Sequence, residues 1–323
     1  MIKMKNLNIR LTSKHFITPR GTHFASAHAS TIVTTAPDTR VIACFGGTRE
    51  GHEDVGIYFF RESGYRRMLA AIIKVAELAH FNPVLYRRTD GTIVCWFKVG
   101  RTPRDWKTWA SVSYDDGRSW EEPMELGGDF GPVKNKPLLL SSGILCAPYS
   151  TETDTDWTVH GAVSYDEGMT WVFGDTIEYV DKPSYSKRSG VIQPSLWEDD
   201  TGVHMLMRST WGQLWRADSK DGITWSKAYA TDIPNNNSGI DLVRTDSGVI
   251  ALLLNPTSGD FVARTPLILR LSFDNGSTFT DALTLEDAPG EYSYPAVIAD
   301  GNRLCMTYTW NRETVVYAEA VIG

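Results

Sequence analysis

An all-β, six-bladed β-propeller is the fold this 323-residue sequence predicts, and three interleaved repeats predict it. The first is an eight-residue turn of the form Ser-x-Asp-x-Gly-x-Ser/Thr-aromatic. It occurs as SYDDGRSW (113–120), SYDEGMTW (164–171) and SFDNGSTF (272–279), with a degenerate copy, DSKDGITW, at 218–225. The first residues of these turns lie 51, 54 and 54 positions apart in chain order. A unit of about 50 residues recurring in a β-rich chain marks a propeller or a related array. The second repeat is a Gly/Asp/Ser turn that feeds a short apolar strand, and the third is an apolar segment roughly ten residues upstream of each such turn.

Taken in order, the segments pair into six hairpins. HASTIV (28–33) precedes DTRVIAC (38–44), NPVLYR (82–87) precedes DGTIVC (90–95), and NKPLLL (135–140) precedes SSGILC (141–146). QPSLWE (193–198) then precedes DTGVHM (200–205), NSGIDLV (237–243) precedes DSGVIA (246–251), and YPAVIA (294–299) precedes DGNRLC (300–305). With the Ser-x-Asp-x-Gly turn added, each unit holds about four strands, which is one propeller blade. Six units of about 53 residues fill almost the whole chain. The reading is a single domain, residues 1–323, with nothing left over for a second.

Charged residues at 22%, apolar at 42% and aromatic at 11% describe an ordinary globular protein able to bury a large core, and the 11 tryptophans suit stacked blades. A net charge of −7 argues against nucleic acid or an anionic membrane as partner, since both select basic faces. The N-terminal MIKMKNLNIRLTSKHF is basic and lacks the apolar run of a signal peptide, so a cytoplasmic protein is expected. Cys95, Cys146 and Cys305 share one register of the turn–strand repeat and Cys44 lies within one residue of it. They therefore fall on four blades, too far apart for disulfides, and read as buried packing thiols. Without CxxC, HExxH or EF-hand spacing, no metal or cofactor is expected. Asp115, Asp166 and Asp274 read as scaffold, because a turn aspartate bonds the backbone of its own turn while the glycine takes positive φ.

Asp-box turns on a six-fold β repeat, together with HASTIV, FGGTREGHEDV, NKP, IQPS, NSGID and EYSYPA, resemble the sialidase (neuraminidase) superfamily, in particular its bacterial branch of predicted neuraminidases. The resemblance runs from about residue 20 to the end. It implies three arginines on a substrate carboxylate, a tyrosine nucleophile activated by a glutamate, and an aspartate acid on a loop. Arg208 in HMLMRS and Arg264 in ARTPL match two of the arginines, Tyr292 in GEYSYP the nucleophile, and Asp54 in GGTREGHEDV the acid. Two positions depart. His28 stands at the first arginine and Gln193 at the glutamate, and an amide cannot take a phenol's proton. Glu291, Glu50 or a histidine are the alternatives for the base, with His28 a third donor to the carboxylate.

Arginine pairs bidentately with carboxylate, so two of them in an acidic protein favour an anionic ligand, and their field is expected to lower the pKa of the tyrosine beside them. Lys98, Tyr149, Arg208 and Tyr308 stand three residues beyond the Cys/Met register and are expected at similar heights around the axis, while Asn82, Lys136, Gln193 and Tyr294 begin the facing strands. Arg49, Glu50 and Asp241 lie in the resembling stretches, His28, His52 and His160 on segments expected to face the axis, and Trp106 and Trp157 are candidate sugar platforms. An exo-glycosidase acting on a terminal sialic, other ulosonic or uronic acid is the leading expectation. A polysaccharide lyase acting on uronate glycans and a non-catalytic carbohydrate-binding propeller are the alternatives, and the expected partner is in each case an acidic glycan.

Overall fold

The computed structural model describes residues 9–128, 131–183 and 189–323, and every regular element among them is a β-strand. The first eight residues of the basic N-terminal stretch lie outside the described residues. β1 (Ile9–Phe16) comes first in the chain but joins the last sheet. β2 (Ser26–Ala36), β3 (Thr39–Gly47), β4 (Gly56–Ser63) and β5 (Arg66–Ile73) form one four-stranded sheet. β6 (His80–Arg87), β7 (Ile93–Val99), β8 (Lys107–Ser113) and β9 (Met124–Gly127) form the next.

A nine-stranded sheet follows. It joins β10 (Leu138–Leu139), β11 (Leu145–Cys146), β12 (Tyr149–Glu152), β13 (Asp156–Ser164) and β14 (Val172–Thr176) to β15 (Ser189–Asp199), β16 (Gly202–Ser209), β17 (Gln213–Ser219) and β18 (Tyr229–Pro234). The join is a short parallel pairing of Asp156 with Ser189 and of Trp157 with Gly190. Glycine is required there, because a Cβ at position 190 would lie 2.0 Å from the Trp157 carbonyl oxygen and φ is +147°. β19 (Asp241–Arg244), β20 (Ile250–Leu254), β21 (Leu267–Ser272) and β22 (Thr280–Glu286) make another four-stranded sheet. β23 (Tyr292–Asp300), β24 (Arg303–Trp310) and β25 (Thr314–Ile322) complete the last, where β1 pairs with β25 and ties the two ends of the chain together.

All six hairpins expected from the sequence form antiparallel pairs: β2–β3, β6–β7, β10–β11, β15–β16, β19–β20 and β23–β24. Among their first strands β2 lies beside β6 and β23, and β19 beside β15 and β23, while in the third unit it is β12, after the hairpin, that lies beside β15. Most of these strands are buried on both faces along most of their length, packing Val, Ile, Leu and Phe between sheets. The four cysteines are buried free thiols, as expected.

The Asp boxes are scaffold. Asp115 accepts hydrogen bonds from the Ser113 and Ser119 hydroxyls and from the backbone N–H groups of Arg118 and Ser119. Burial opposes its charge, but these bonds outweigh burial and bring its pKa down to about 2. Asp166 and Asp274 repeat the pattern. The degenerate box is one residue shorter than its spacing suggested. Asp221 takes the central role, accepting from Ser219 and from the Thr224 N–H, whereas Asp218 belongs to a separate network with His204, Arg216 and Tyr229.

Four of the first strands break register near their starts, between His28 and Thr31, Phe81 and Val84, Ile192 and Ser195, and Ser293 and Ala296, and β2 shifts again between Thr34 and Ala36. Inside each bulge one non-glycine residue has left-handed backbone: Ala29 (φ 54°), Asn82 (45°), Gln193 (52°) and Tyr294 (51°). Each such residue costs on the order of 1–3 kcal/mol, and a bulge re-aims the side chain it carries. Two of these re-aimed side chains, Gln193 and Tyr294, meet in the candidate site.

Candidate functional site

Tyr294 is the centre. Its phenol oxygen receives a hydrogen bond from Arg208 Nη1 at 2.6 Å and a longer one from Gln193 Nε2 at 3.4 Å. The same Arg208 nitrogen donates to Gln193 Oε1 at 2.9 Å, and Arg208 Nε donates to Asn237 Oδ1 at 2.9 Å. Asn237 is held in turn by its amide donating to Asp260 at 2.7 Å. The Arg208 guanidinium also lies over the rings of Trp157 (5.3 Å) and Tyr294 (5.6 Å), contacts that favour a cation between two π faces.

A second arginine lies over the same ring, Arg264 Cζ being 5.6 Å from the Tyr294 centroid. Arg264 Nη1 donates to Glu291 Oε1 at 3.0 Å. Arg312 Nε reaches the same oxygen at 2.6 Å, and Arg312 Nη1 reaches Glu50 on the loop after β3. Glu291 is therefore a clamped anion. Burial opposes its charge, but Arg312 and Arg264 outweigh burial and hold its pKa below the ordinary carboxylate value. His28 packs against Tyr294 with centroids 4.0 Å apart, and its Nδ1 shares a hydrogen bond with Thr309 Oγ1 at 2.9 Å. Burial, then Arg312, Arg264, Arg208 and Lys134, push its pKa far below the usual histidine range, so the ring is neutral.

The site thus assembles Arg208, Arg264, Gln193, His28, Tyr294, Glu291 and Glu50 from the sequence candidates. It moves the tyrosine. Tyr292 faces the core beside Trp310, 3% exposed, and burial, Glu286 and Asp287 raise its pKa, the reverse of the expected lowering. The bulge at Tyr294 is the cause, since it swings residue 294 to the arginines and leaves residue 292 between sheets. Tyr308 is likewise misassigned. Lys98 and Arg208 share one register, opposite Phe81 and Ile192, but the final hairpin is offset by one residue, so Thr309 occupies that register opposite Ser293. A one-residue slip flips a side chain to the other face. Tyr308 therefore points into the core and donates to Glu286, with its pKa raised by burial and that carboxylate.

Other candidates serve the frame. Asp241 accepts from Ser195 Oγ, the Val297 N–H and Lys136 Nζ, so it joins strands instead of facing a ligand, and Lys136 is its ion-pair partner at 2.8 Å. Lys98 is fully buried and donates to Thr108. Tyr149 packs on His160, whose ring nitrogens meet Thr151, Thr158 and Thr176. Asn82 is buried at its bulge, Arg49 is exposed on the loop after β3, and Trp106 and Trp157 are 8% and 2% exposed, which removes them as sugar platforms. Asp54 is exposed and accepts from the Thr48 hydroxyl, His52 and the Thr48 N–H; these bonds lower its pKa against a small burial effect, the opposite of what a proton donor needs.

Sequence reasoning missed Arg312, Asn237, Asp260 and Lys134. Arg312 follows the last hairpin, and its carbonyl accepts from the Ala27 N–H of β2, a chain-closure contact with no local signal. The three consecutive asparagines 235–237 were the one available hint, an unusual buried polar run.

No curated protein matches the chain in sequence. Among solved structures, a Dyadobacter fermentans protein of unknown function superposes with a TM-score of 0.75 at 15% identity, covering 98% of this chain and 99% of its own. The Hadza microbial sialidase Hz136 gives 0.74 at 15% identity over 95% of this chain and 68% of its own. The Trypanosoma rangeli sialidase gives 0.70 at 14% identity over 92% of this chain, which spans 55% of that enzyme. These likenesses establish a fold shared with sialidase propellers. Residues 38–306 match the BNR repeat-like domain, so the chain belongs to the BNR repeat-like family.

Proposed function

We propose that the protein is a carbohydrate-active enzyme that holds an acidic sugar with Arg208 and Arg264, backed by Arg312, and reacts through Tyr294. The frame we assign to it is a single six-bladed propeller, the nine-stranded sheet counting as two blades. The observation that carries the reading is the Tyr294 phenol oxygen, which receives Arg208 at 2.6 Å and Gln193 at 3.4 Å while a second guanidinium flanks its ring. Donors fixed around one oxygen stabilise negative charge that develops there, with no reorganisation cost at the moment of reaction. Hydrolysis of a terminal sialic, other ulosonic or uronic acid follows if that oxygen attacks the anomeric carbon as the glycosidic C–O bond breaks, the phenol's proton passing to the departing glycan oxygen, and water later releases the sugar. The sialidase structures that share the fold make this chemistry the first to test.

Gln193 favours a second reading. The group beside the phenol is an amide, so no carboxylate there takes the phenol's proton. Arg208 would neutralise a uronate carboxylate, with the Gln193 amide donating beside it, acidify the adjacent C–H, and leave the Tyr294 phenolate to abstract that proton while the glycosidic oxygen on the next carbon departs and takes a proton from solvent. Incubation with sialyl and uronyl oligosaccharides, following free acidic sugar and the near-ultraviolet absorbance of an unsaturated product, separates the readings. Free sugar without absorbance is expected. Absorbance growth would transfer the assignment to elimination, and binding without either product would refute catalysis.

A further inference from the structure

Beneath the two bulges that present Gln193 and Tyr294 lies a buried segment that neither reading uses. Lys134 is 2% exposed and has left-handed backbone, φ 70°. Its Nζ donates to the backbone carbonyl of Pro295, the residue after Tyr294, to the Ile240 carbonyl at 2.6 Å and to Asn135 Oδ1 at 2.8 Å. Asn135 Nδ2 donates to the carbonyls of Gln193 at 3.1 Å and Pro194 at 2.9 Å. One dipeptide therefore grips the carbonyls that follow both re-aimed side chains. Gly239 completes the seat, because a Cβ there would approach Lys134 Cε and Tyr294 Cδ2 to 3.2 Å each.

We infer that Lys134 is a positioning residue, whose ammonium, with the Asn135 amide, clamps the two strained bulges and so fixes Tyr294 and Gln193 against Arg208. The inference rests on Tyr294 being the reacting group. An ammonium has three N–H donors and finds three acceptors here; a neutral amine has two and releases one. The charged groups facing it are Asp241 on β19, Lys136 on its own segment and Arg208 on β16, beside the titratable but neutral His28 on β2 and the Tyr294 ring of β23 at 5.8 Å. Burial dominates, Asp241 partly offsets it, and Lys136 and Arg208 add to it, bringing the lysine down to about 7. Activity then falls as pH rises through that value. Stability runs the other way: the unfolded lysine keeps its proton to about pH 10, so between the two values the unfolded state binds more protons and this group makes folding more favourable as pH increases. A merely structural lysine would make activity follow stability.

The test uses Lys134→Met and Asn135→Ala. Lys134→Met is expected to lower kcat by about 10²-fold, as a displaced reacting group does, with KM changed less than about threefold, and to abolish the alkaline limb. Asn135→Ala is expected to lower kcat while keeping that limb, and it carries the test if Lys134→Met fails to fold. Unchanged kcat in Asn135→Ala, or an alkaline limb that survives in folded Lys134→Met, would overturn the inference. The ultraviolet titration of Tyr294, isolated as wild type minus Tyr294→Phe, needs no turnover and separates failure of the clamp from failure of the proposed reaction. Its midpoint is expected to move in either variant, and an unmoved midpoint overturns the clamp.

Discussion

Replacing Tyr294 by Phe removes one oxygen and leaves the ring, so it isolates what the oxygen does. That atom accepts from Arg208 at 2.6 Å and from Gln193 at 3.4 Å, while Arg208 keeps Gln193 Oε1 and Asn237. Losing one hydrogen bond to a charged donor costs about 1.5–3 kcal/mol, and the intact partners of Arg208 place this case near the lower end. For a chain of 323 residues, with an unfolding entropy of about 2.1 cal/mol/K per residue, that is a melting-temperature loss of about 2–3 °C. The effect on turnover is far larger, about 10²–10⁴-fold, because a positioned proton-transfer or nucleophilic group disappears. Tyr292→Phe is the matched control. It removes a phenol of the same strand that faces the core, 3% exposed, and should change kcat/KM by less than about threefold. Steady-state kinetics on the best acidic glycan, paired with thermal melts, read both. Loss of activity in Tyr292→Phe with normal turnover in Tyr294→Phe would refute the assignment of the bulged residue.

The scaffold makes separate predictions. Asp166→Ala deletes an acceptor of bonds from Ser164, Thr170 and the backbone of its box, and is expected to cost about 2 kcal/mol in denaturant unfolding while leaving kcat/KM unchanged. The His204 network responds to acid. Burial opposes charge on Asp218, but bonds from His204, Arg216 and Tyr229 bring it down to about 2, and Asp199 is brought down to about 2 by bonds from Thr201 and His204. Depressed carboxylates stabilise above their unfolded values, about 3.9, and lose that contribution as pH falls towards their folded ones. Melting temperatures recorded between about pH 4 and 2 should therefore fall more steeply for wild type than for Asp218→Asn, and equal slopes would contradict the network's role.

The strand order was legible because propeller-like repeats write themselves into the chain. Gly/Asp turns mark each hairpin, and the Asp boxes bond within their own eight residues, so nothing distant is needed to recognise them. Arg208 and Gln193 come together for the same reason, since both lie in one hairpin, β15–β16. The failures arose where local pattern and geometry part. Tyr292 and Tyr294 differ by two residues and would share a face in a regular strand; only the bulge separates them. Tyr308 was lost to a one-residue offset of the last hairpin, which a count from Cys305 could not register. Arg312 reaches Glu50, and Lys134 the carbonyls of Ile240 and Pro295, all far away in sequence, contacts that exist only once the ring of sheets has closed.

The central claim is an anionic-sugar site built on Arg208 and Arg264. Calorimetric binding of an acidic monosaccharide and of its counterpart with the carboxylate reduced to an alcohol, to wild type, Arg208→Met and Arg264→Met, tests it most directly. One charge-assisted hydrogen bond is worth about 1.5–3 kcal/mol, so wild type should prefer the acid by about tenfold or more, and each variant should lose most of that preference. Equal affinity for acid and alcohol in wild type, or a preference untouched by both substitutions, would contradict the account.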